Sequence, residues 1–289
     1  FAAAMAQATS RIAVFATTHA PIVHPLVIAK QAATVDVISG GRFAMNVVGG
    51  WNRREFEMFG IDLMSHEDRY AYLAEWLNVI RDLWSAQSEI NVDSRFFKMN
   101  KALVLPHPVQ GGGVPIMNAG FSETGRRFAA ANSEVGLIGL FGEDEASWAE
   151  QIGNYKKLAK EEFGKTIQVW TNAQLILRDS DKEAEALFQY YTHDAADKAA
   201  VEGYVSTLAR ENKIPEGSEQ LKFLRRTAVA GSGFPLHGSA ETVSSKLSAL
   251  SRAGLDGVIF SCVDYVDSLH RFNRDVTPLL CEAGIREAR

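Results

Sequence analysis

Short apolar runs alternate with longer segments of helical periodicity along most of the chain. Phe43–Val48 is an apolar run that ends at Gly49 and Gly50, as expected of a buried strand. Tyr70–Trp84 places apolar side chains three and four residues apart, which is the spacing of an amphipathic helix. This alternation predicts strands joined by helices, and therefore a parallel sheet.

The pattern divides the chain into about six strand–helix units. The predicted strands are 12–16, 43–48, 115–118, 135–140, 167–177 and 258–262, the last of them buried. The predicted helices are 22–38, 70–84, 123–132, 143–162, 181–191 and 239–254. We predict an α/β chain with the (β/α)8 fold of a TIM-type barrel, which needs eight such units. We therefore expect the two N-terminal β/α units to be missing from this chain and to lie upstream of Phe1.

The segments outside this alternation are predicted to be insertions in one domain that spans 1–289. One insertion lies near 86–114 and contains a hairpin over Phe96–Leu105. The other lies near 193–232, shows no strand–helix alternation and is predicted to be partly helical. No repeat or low-complexity linker divides the chain, so a single domain with two insertions is expected.

Composition and charge narrow the class of protein. The 289 residues are 46% hydrophobic and 22% charged, with a net charge of -5 and no basic cluster, so no nucleic-acid partner is expected. Cys262 and Cys281 lack CxxC spacing, which argues against a disulfide scaffold or thiolate metal site and favours the reducing cytoplasm. No apolar run reaches the roughly 18 residues that a membrane span requires.

The site of such a barrel is expected at the carboxyl ends of its strands. Hydroxyls, amides and glycines dominate these positions, including Thr17, Asn46, Asn118 and Ser122. No HExxH, GxSxG or strand-following GxGxxG motif occurs in the sequence. A site with so few acids, bases and metal ligands indicates that a cofactor carries the chemistry and that no metal is needed.

Several of these features have two interpretations. Gly120–Gly125 lies where a strand turns into a helix, so its amides and hydroxyls suit a phosphate or form an ordinary N-cap with Ser122. Gly49 and Gly50 permit the close approach of a flat ring or form a plain tight turn. Asn46, which is polar within an apolar strand, is either satisfied by a neighbour or directed at a ligand.

Two other features give no functional pattern on spacing alone. Arg69 opens a helix, where a surface arginine is the simplest interpretation. His19, His24 and His66 share no spacing typical of a metal site. Neither feature therefore changes the expectation of a site built on a cofactor.

Four segments resemble the bacterial-luciferase-like flavin monooxygenases. They are QAATVDVISGGR at 31–42, the block from NVVGGW to EFEMFG at 46–60, PIMNAGFSETGRRFAA at 115–130 and GSAETVSSKLSALSRAGLDGVIFS at 238–261. The resemblance is closest to the branch that contains the pyrimidine, dimethylsulfone, alkanesulfonate and dibenzothiophene-sulfone monooxygenases. It spans essentially the whole chain and is loose only near 193–232.

The resemblance implies a barrel that binds reduced FMN supplied by a separate flavin reductase. The implied reaction uses O2 to cleave a C–S or C–N bond in a small polar substrate, such as a sulfone, a sulfonate or a pyrimidine. The positions that match the family's flavin contacts are Asn46, Glu55, Arg69, Tyr70 and Ser122. Thr17 and Asn46 match the residues that flank the flavin face where oxygen reacts, and are therefore the expected catalytic residues.

The resemblance also implies a homodimer or homotetramer, and Trp76, which lies off the main apolar stripe of its helix, supports that expectation. Two alternatives remain open. One is a deazaflavin-dependent oxidoreductase with a related barrel, although the Asn46 to Trp51 block and the Arg69-Tyr70 pair fit the FMN branch better. The other is a non-catalytic flavin-binding protein similar to luciferase.

Overall fold

The computed structural model describes residues 1–142, 144–211, 214–218, 221–222, 224–225, 228 and 233–287. These residues form two compact units. The first unit comprises Phe1–Gly136 and Ala159–Ile167, and the second comprises the described residues of Leu137–Leu158 and Gln168–Arg289. Each unit contains parallel strands with helices between them, and the first unit also contains one antiparallel hairpin, which confirms the predicted α/β class.

The secondary structure follows the predicted alternation of strands and helices. The strands are β1 (Val14–His19), β2 (Phe43–Val48), β3 (Ile90–Asp93), β4 (Lys98–Ala102), β5 (Ile116–Asn118), β6 (Val135–Ile138), β7 (Gln168–Leu177), β8 (Phe234–Gly238) and β9 (Gly257–Ser261). The α-helices are α1 (Ala2–Ala8), α2 (Pro25–Ser39), α3 (Arg53–Met58), α4 (His66–Ser85), α5 (Glu123–Asn132), α6 (Glu145–Phe163), α7 (Asp181–Gln189), α8 (Lys198–Glu211), α9 (Ala240–Arg252), α10 (Tyr265–Arg271) and α11 (Thr277–Glu282).

The first unit contains four parallel strands. β1 pairs with β2, β2 with β5, and β5 with the first half of β6. In this register Thr17 lies beside Asn46, and Asn46 lies beside Met117. Met45 and Val47 are completely buried in the core under the helices. Because side chains alternate along a strand, Asn46 faces the opposite side of the sheet.

Helix α4 forms the centre of the core in the first unit. It begins at His66, four residues before the predicted start, because Ser65 caps it by accepting a hydrogen bond from the Asp68 amide at 3.1 Å. The indole of Trp76 is fully buried and donates to the Val23 carbonyl at 2.8 Å. Trp76 therefore packs within its own unit, and its position off the apolar stripe gives no support to an oligomer.

The insertion near 86–114 contains a hairpin, but its strands differ from the prediction. They are β3 and β4, so the first strand precedes the predicted range Phe96–Leu105. Residues 96 and 97 lie at the turn end of the hairpin, where Glu75 accepts from the Phe96 amide at 2.8 Å. Part of the insertion near 193–232 is α8, and residues 212–213, 219–220, 223, 226–227 and 229–232 lie outside the described residues.

In the second unit β7 pairs with β8 on one side and with β9 on the other. β8 was not predicted, because its sequence FPLHG contains proline and glycine, which are typical of loops. Pro235 is accommodated opposite Gln174. The prediction that 258–262 is a buried strand was wrong on burial. β9 pairs with β7 alone among the described strands, and its Ile259 is 38% exposed.

No helix in the described part of the chain is long and apolar enough to cross a membrane.

Candidate active site

Thr17 and Asn46 form a hydrogen-bonded pair on neighbouring strands of the first unit. The Asn46 Nδ2 atom donates to Thr17 Oγ1 at 3.1 Å, as the register of β1 and β2 allows. The other amide atom, Asn46 Oδ1, is buried and accepts no hydrogen bond from the residues that the structure describes. A buried carbonyl oxygen without a donor is uncommon, so Asn46 Oδ1 is an acceptor that the described residues leave unsatisfied.

The turn after β2 is held in an unusual backbone conformation. Gly50 has φ of +82°, and a Cβ atom at this position would lie 2.1 Å from Cζ of the buried Phe56. Arg69 Nη1 donates to the Gly50 carbonyl at 2.6 Å. Arg69 is only 8% exposed, so the interpretation as a surface arginine was wrong. Close packing and one buried guanidinium therefore fix the backbone next to the Thr17–Asn46 pair.

A second polar group, which we call the Ser122 cluster, consists of His66, Tyr70 and Ser122. Ser122 caps α5, and its Oγ accepts from the Gly125 amide at 3.0 Å. His66 Nε2 lies 3.1 Å from the same Oγ, and the rings of His66 and Tyr70 meet edge to face. Burial raises the pKa of Tyr70, and the nearby Ser122 hydroxyl opposes this rise. Tyr70 therefore keeps its proton at neutral pH and can act as a donor.

Two glycines allow the Ser122 cluster to be this compact. A Cβ atom on Gly125 would lie 2.4 Å from the Tyr70 hydroxyl, and one on Gly120 would lie 2.6 Å from Gly125 Cα. Both positions therefore require glycine for the turn to approach α4.

Asn118 connects the strand end at β2 with the turn that carries Ser122. Its Nδ2 donates to the Val47 carbonyl at 2.6 Å, and its Oδ1 accepts from the Gly120 amide at 2.9 Å. Asn118 is 2% exposed, and both ends of its amide are satisfied. This side chain therefore fixes the position of the Ser122 turn relative to the strand that carries Asn46.

Four of the six candidate residues thus lie in two linked groups of the first unit, and Arg69 and Glu55 belong to neither group. Glu55 is half-buried on α3, and its side chain makes no hydrogen bond or ion pair among the described residues. His66 was not among the predicted site residues, since it was considered only as a metal ligand. Its spacing of four residues from Tyr70 becomes informative once the helix is known to start at His66.

The described residues contain no group of three or more His, Cys, Asp or Glu side chains that could hold a metal ion. The N-cap interpretation of Ser122 is confirmed, and it leaves room for a second role because a capping hydroxyl retains its own hydrogen.

Comparison with known proteins gives the class of this chain. The model of the luciferase-like monooxygenase family matches residues 1–257. The pyrimidine monooxygenase RutA of Allorhizobium ampelinum strain S4 is 30% identical over 285 residues, which cover 96% of this chain and 77% of the relative. The chain therefore belongs to the luciferase-like monooxygenase family. It is an enzyme, a flavin-dependent monooxygenase.

Solved structures support the same fold. Riboflavin lyase RcaE, solved with modified FMN and riboflavin, superposes with a TM-score of 0.84 at 22% identity, covering 98% of this chain and 73% of that protein. The coenzyme F420-dependent tetrahydromethanopterin reductase of Methanopyrus kandleri gives a TM-score of 0.71 at 19% identity, with 96% and 86% covered. The predicted luciferase-like barrel fold is confirmed. Flavin and deazaflavin enzymes share it, so the cofactor must be inferred from the site.

Proposed function

We propose that this chain is an FMN-dependent monooxygenase that uses O2 to cleave a C–S or C–N bond in a small polar substrate. The observation that carries the proposal is the buried acceptor Asn46 Oδ1 beside Thr17, on the strand that Asn118 links to the Ser122 cluster. The bound reduced flavin would supply the electrons that activate O2, so that one oxygen atom enters the substrate and the other forms water.

The Thr17–Asn46 pair fits the edge of a reduced isoalloxazine ring. Such a ring carries N–H donors, and Asn46 Oδ1 is an acceptor that lacks one. Thr17 holds the other end of the amide, so the acceptor is already oriented before a ligand arrives. Both side chains are neutral, so neither would directly protonate the oxygen that reacts at the flavin. We propose that these two side chains lie against the flavin face at which oxygen reacts.

The Ser122 cluster fits the phosphate of FMN. The Ser122 and Tyr70 hydroxyls can donate to an acceptor outside the protein, and Ser122 lies at the start of α5, where backbone amides favour an anion. Arg69 holds the Gly50 turn, and we propose that it thereby shapes the wall beside the ribityl chain. Glu55 is proposed to contact that chain from α3.

The nearest support for a substrate class comes from the relative named pyrimidine monooxygenase. We propose a pyrimidine as the first substrate to test, with sulfonates and sulfones as the second class. The remaining proposals follow from family membership. The reduced FMN comes from a separate, transiently bound flavin reductase, and the enzyme is a cytoplasmic homodimer or homotetramer. Residues 1–289 form a single barrel domain, with insertions near 86–114 and 193–232.

Turnover in 18O2 tests this function. The chain is supplied with a flavin reductase, NADH and FMN, and with uracil, an alkanesulfonate and dimethyl sulfone in separate reactions. We expect one of these substrates to be cleaved, with a single 18O atom from O2 in its products, detected by mass spectrometry, in proportion to NADH consumed. A parallel reaction replaces FMN with a reduced deazaflavin. Turnover with the deazaflavin and not with FMN would contradict the proposal.

A further inference from the structure

Two buried methionines lie on opposite faces of the sheet next to Asn46. Met45 precedes Asn46 on β2, and Met117 lies beside Asn46 on the neighbouring strand β5. Met45 is paired with Ile116 in the same register, and both side chains belong to the core under the helices. Because side chains alternate along a strand, Met117 shares the opposite face with Asn46. A thioether therefore lies on the face of the sheet that carries the Thr17–Asn46 pair.

The position of Met117 separates it from bulk solvent and leaves it close to this pair. Met117 is 3% exposed, whereas Met58 on α3 is 77% exposed. Neighbouring strands of a sheet are about 4.8 Å apart, so side chains in register on one face lie close together. An oxidant dissolved in bulk water would therefore reach Met58 before Met117. An oxidant that forms beside Asn46 would reach Met117 first.

The chemistry of the proposed function supplies such an oxidant. When no substrate is present, O2 takes two electrons and two protons from the reduced flavin and becomes hydrogen peroxide. The sulfur lone pair of a methionine can attack one peroxide oxygen, so that an S–O bond forms as the O–O bond breaks. The departing hydroxide takes the proton of the transferred oxygen and leaves as water. Sulfur is oxidised by two electrons, the peroxide is reduced, and the product is methionine sulfoxide.

We propose that Met117 is a site of self-oxidation, at which peroxide formed in the absence of substrate converts the thioether to a sulfoxide. The product carries a polar oxygen in place of an apolar group. This oxygen enters the face that holds the Asn46 amide and can accept from its Nδ2 in competition with Thr17. Turnover without substrate thereby lowers the affinity for the flavin. This inference rests on the proposed function, because it takes the peroxide from flavin bound at the Thr17–Asn46 pair.

Mass spectrometry of the six methionines tests this site with controls inside the same chain. The chain is incubated in 18O2 with FMN, NADH and a flavin reductase, without substrate and with catalase to remove peroxide from bulk water. We expect Met117 to gain 18O about tenfold more than Met45, because both are buried and oxidation follows access to the oxidant. Met58 should stay largely unmodified in this reaction and should react first when hydrogen peroxide is added to the chain alone.

Two matched variants test the consequence for flavin binding. Met117→Leu and Met45→Leu each replace a thioether with a hydrocarbon of similar volume, a change that cores tolerate. After the same incubation, the wild-type chain and Met45→Leu should bind reduced FMN several-fold more weakly than before it, as measured by anaerobic titration. Met117→Leu should retain the affinity that it had at the start.

The other outcomes separate this inference from the proposed function. Equal oxidation of Met117 and Met45, or equal loss of affinity in Met117→Leu and the wild type, would overturn the self-oxidation. If Met117 stays unmodified while the chain still oxygenates a substrate in 18O2, the self-oxidation is wrong and the proposed function stands. If Met117 stays unmodified and the chain neither binds reduced FMN nor oxygenates a substrate, the proposed function fails as well.

Discussion

The amide of Asn46 is the residue on which the account depends most. One end donates to Thr17 and the other is a buried oxygen without a donor among the described residues. An unsatisfied buried acceptor costs about 1–3 kcal/mol, so a ligand that supplies a donor there gains binding energy that the free protein lacks. We therefore expect Asn46 to affect both the affinity for the flavin and the reaction with oxygen at the adjacent flavin face.

Two substitutions separate these roles. We expect Asn46→Ala to weaken flavin binding and to lower coupled oxygenation by about 100-fold, the scale of the loss when one preorganised hydrogen-bonding group is removed from an active site. Thr17→Val is nearly the same size and should retain flavin while losing coupling more mildly. Product and hydrogen peroxide are quantified together in steady-state turnover. Wild-type coupling in both variants would show that the two side chains only pack.

Gly50 gives a residue-level test of the turn beside this pair. In Gly50→Ala the added Cβ meets Phe56 at 2.1 Å and the residue retains a left-handed φ, so we expect destabilisation of about 1–3 kcal/mol and weaker flavin binding. Gly60→Ala is the matched control, because Gly60 has φ of +67° and no atom lies within 4 Å of the point that its Cβ would occupy. Equal loss of flavin affinity in both variants, measured by titration, would rule out a specific role of the turn.

At the scale of elements, the approach of α5 to α4 assembles the Ser122 cluster. Gly125→Ala should push the Tyr70 hydroxyl away from Ser122, since the new Cβ would lie 2.4 Å from it. We expect the preference for FMN over riboflavin to fall by roughly tenfold, the effect of a lost hydrogen bond to a charged group. Gly153→Ala in α6 is the control, as its Cβ meets nothing within 4 Å and should leave that preference unchanged. An unchanged preference in Gly125→Ala would contradict this geometry.

The elements also show which sequence signals were sufficient to predict a strand or a helix. The strand Phe43–Val48 was predicted to the residue, because glycines end its apolar run. β8 was missed because its proline, histidine and glycine interrupt the apolar pattern that predicts a strand. Its place in the sheet is determined by its pairing with β7. The adjacency of Thr17 and Asn46 followed from parallel order. The position of His66 beside Ser122 did not, since it depends on a helix start that Ser65 determines.

At the scale of the whole molecule, the fold alone does not decide the cofactor. Both a flavin-related and an F420-dependent enzyme share it at low sequence identity, so the choice lies with a few donors and acceptors in the first unit. The family match over residues 1–257 covers both groups of candidate residues. The FMN assignment therefore depends on whether those two groups act on a single ligand.

Anaerobic titration of the chain with reduced FMN and with a reduced deazaflavin tests this assignment most directly. Asn46→Ala, Ser122→Ala and the double variant are measured with the wild type. The account predicts that FMN binds more tightly than the deazaflavin, that each single variant loses affinity, and that the double variant loses more than either. Tighter binding of the deazaflavin, or FMN affinity that neither substitution changes, would contradict it.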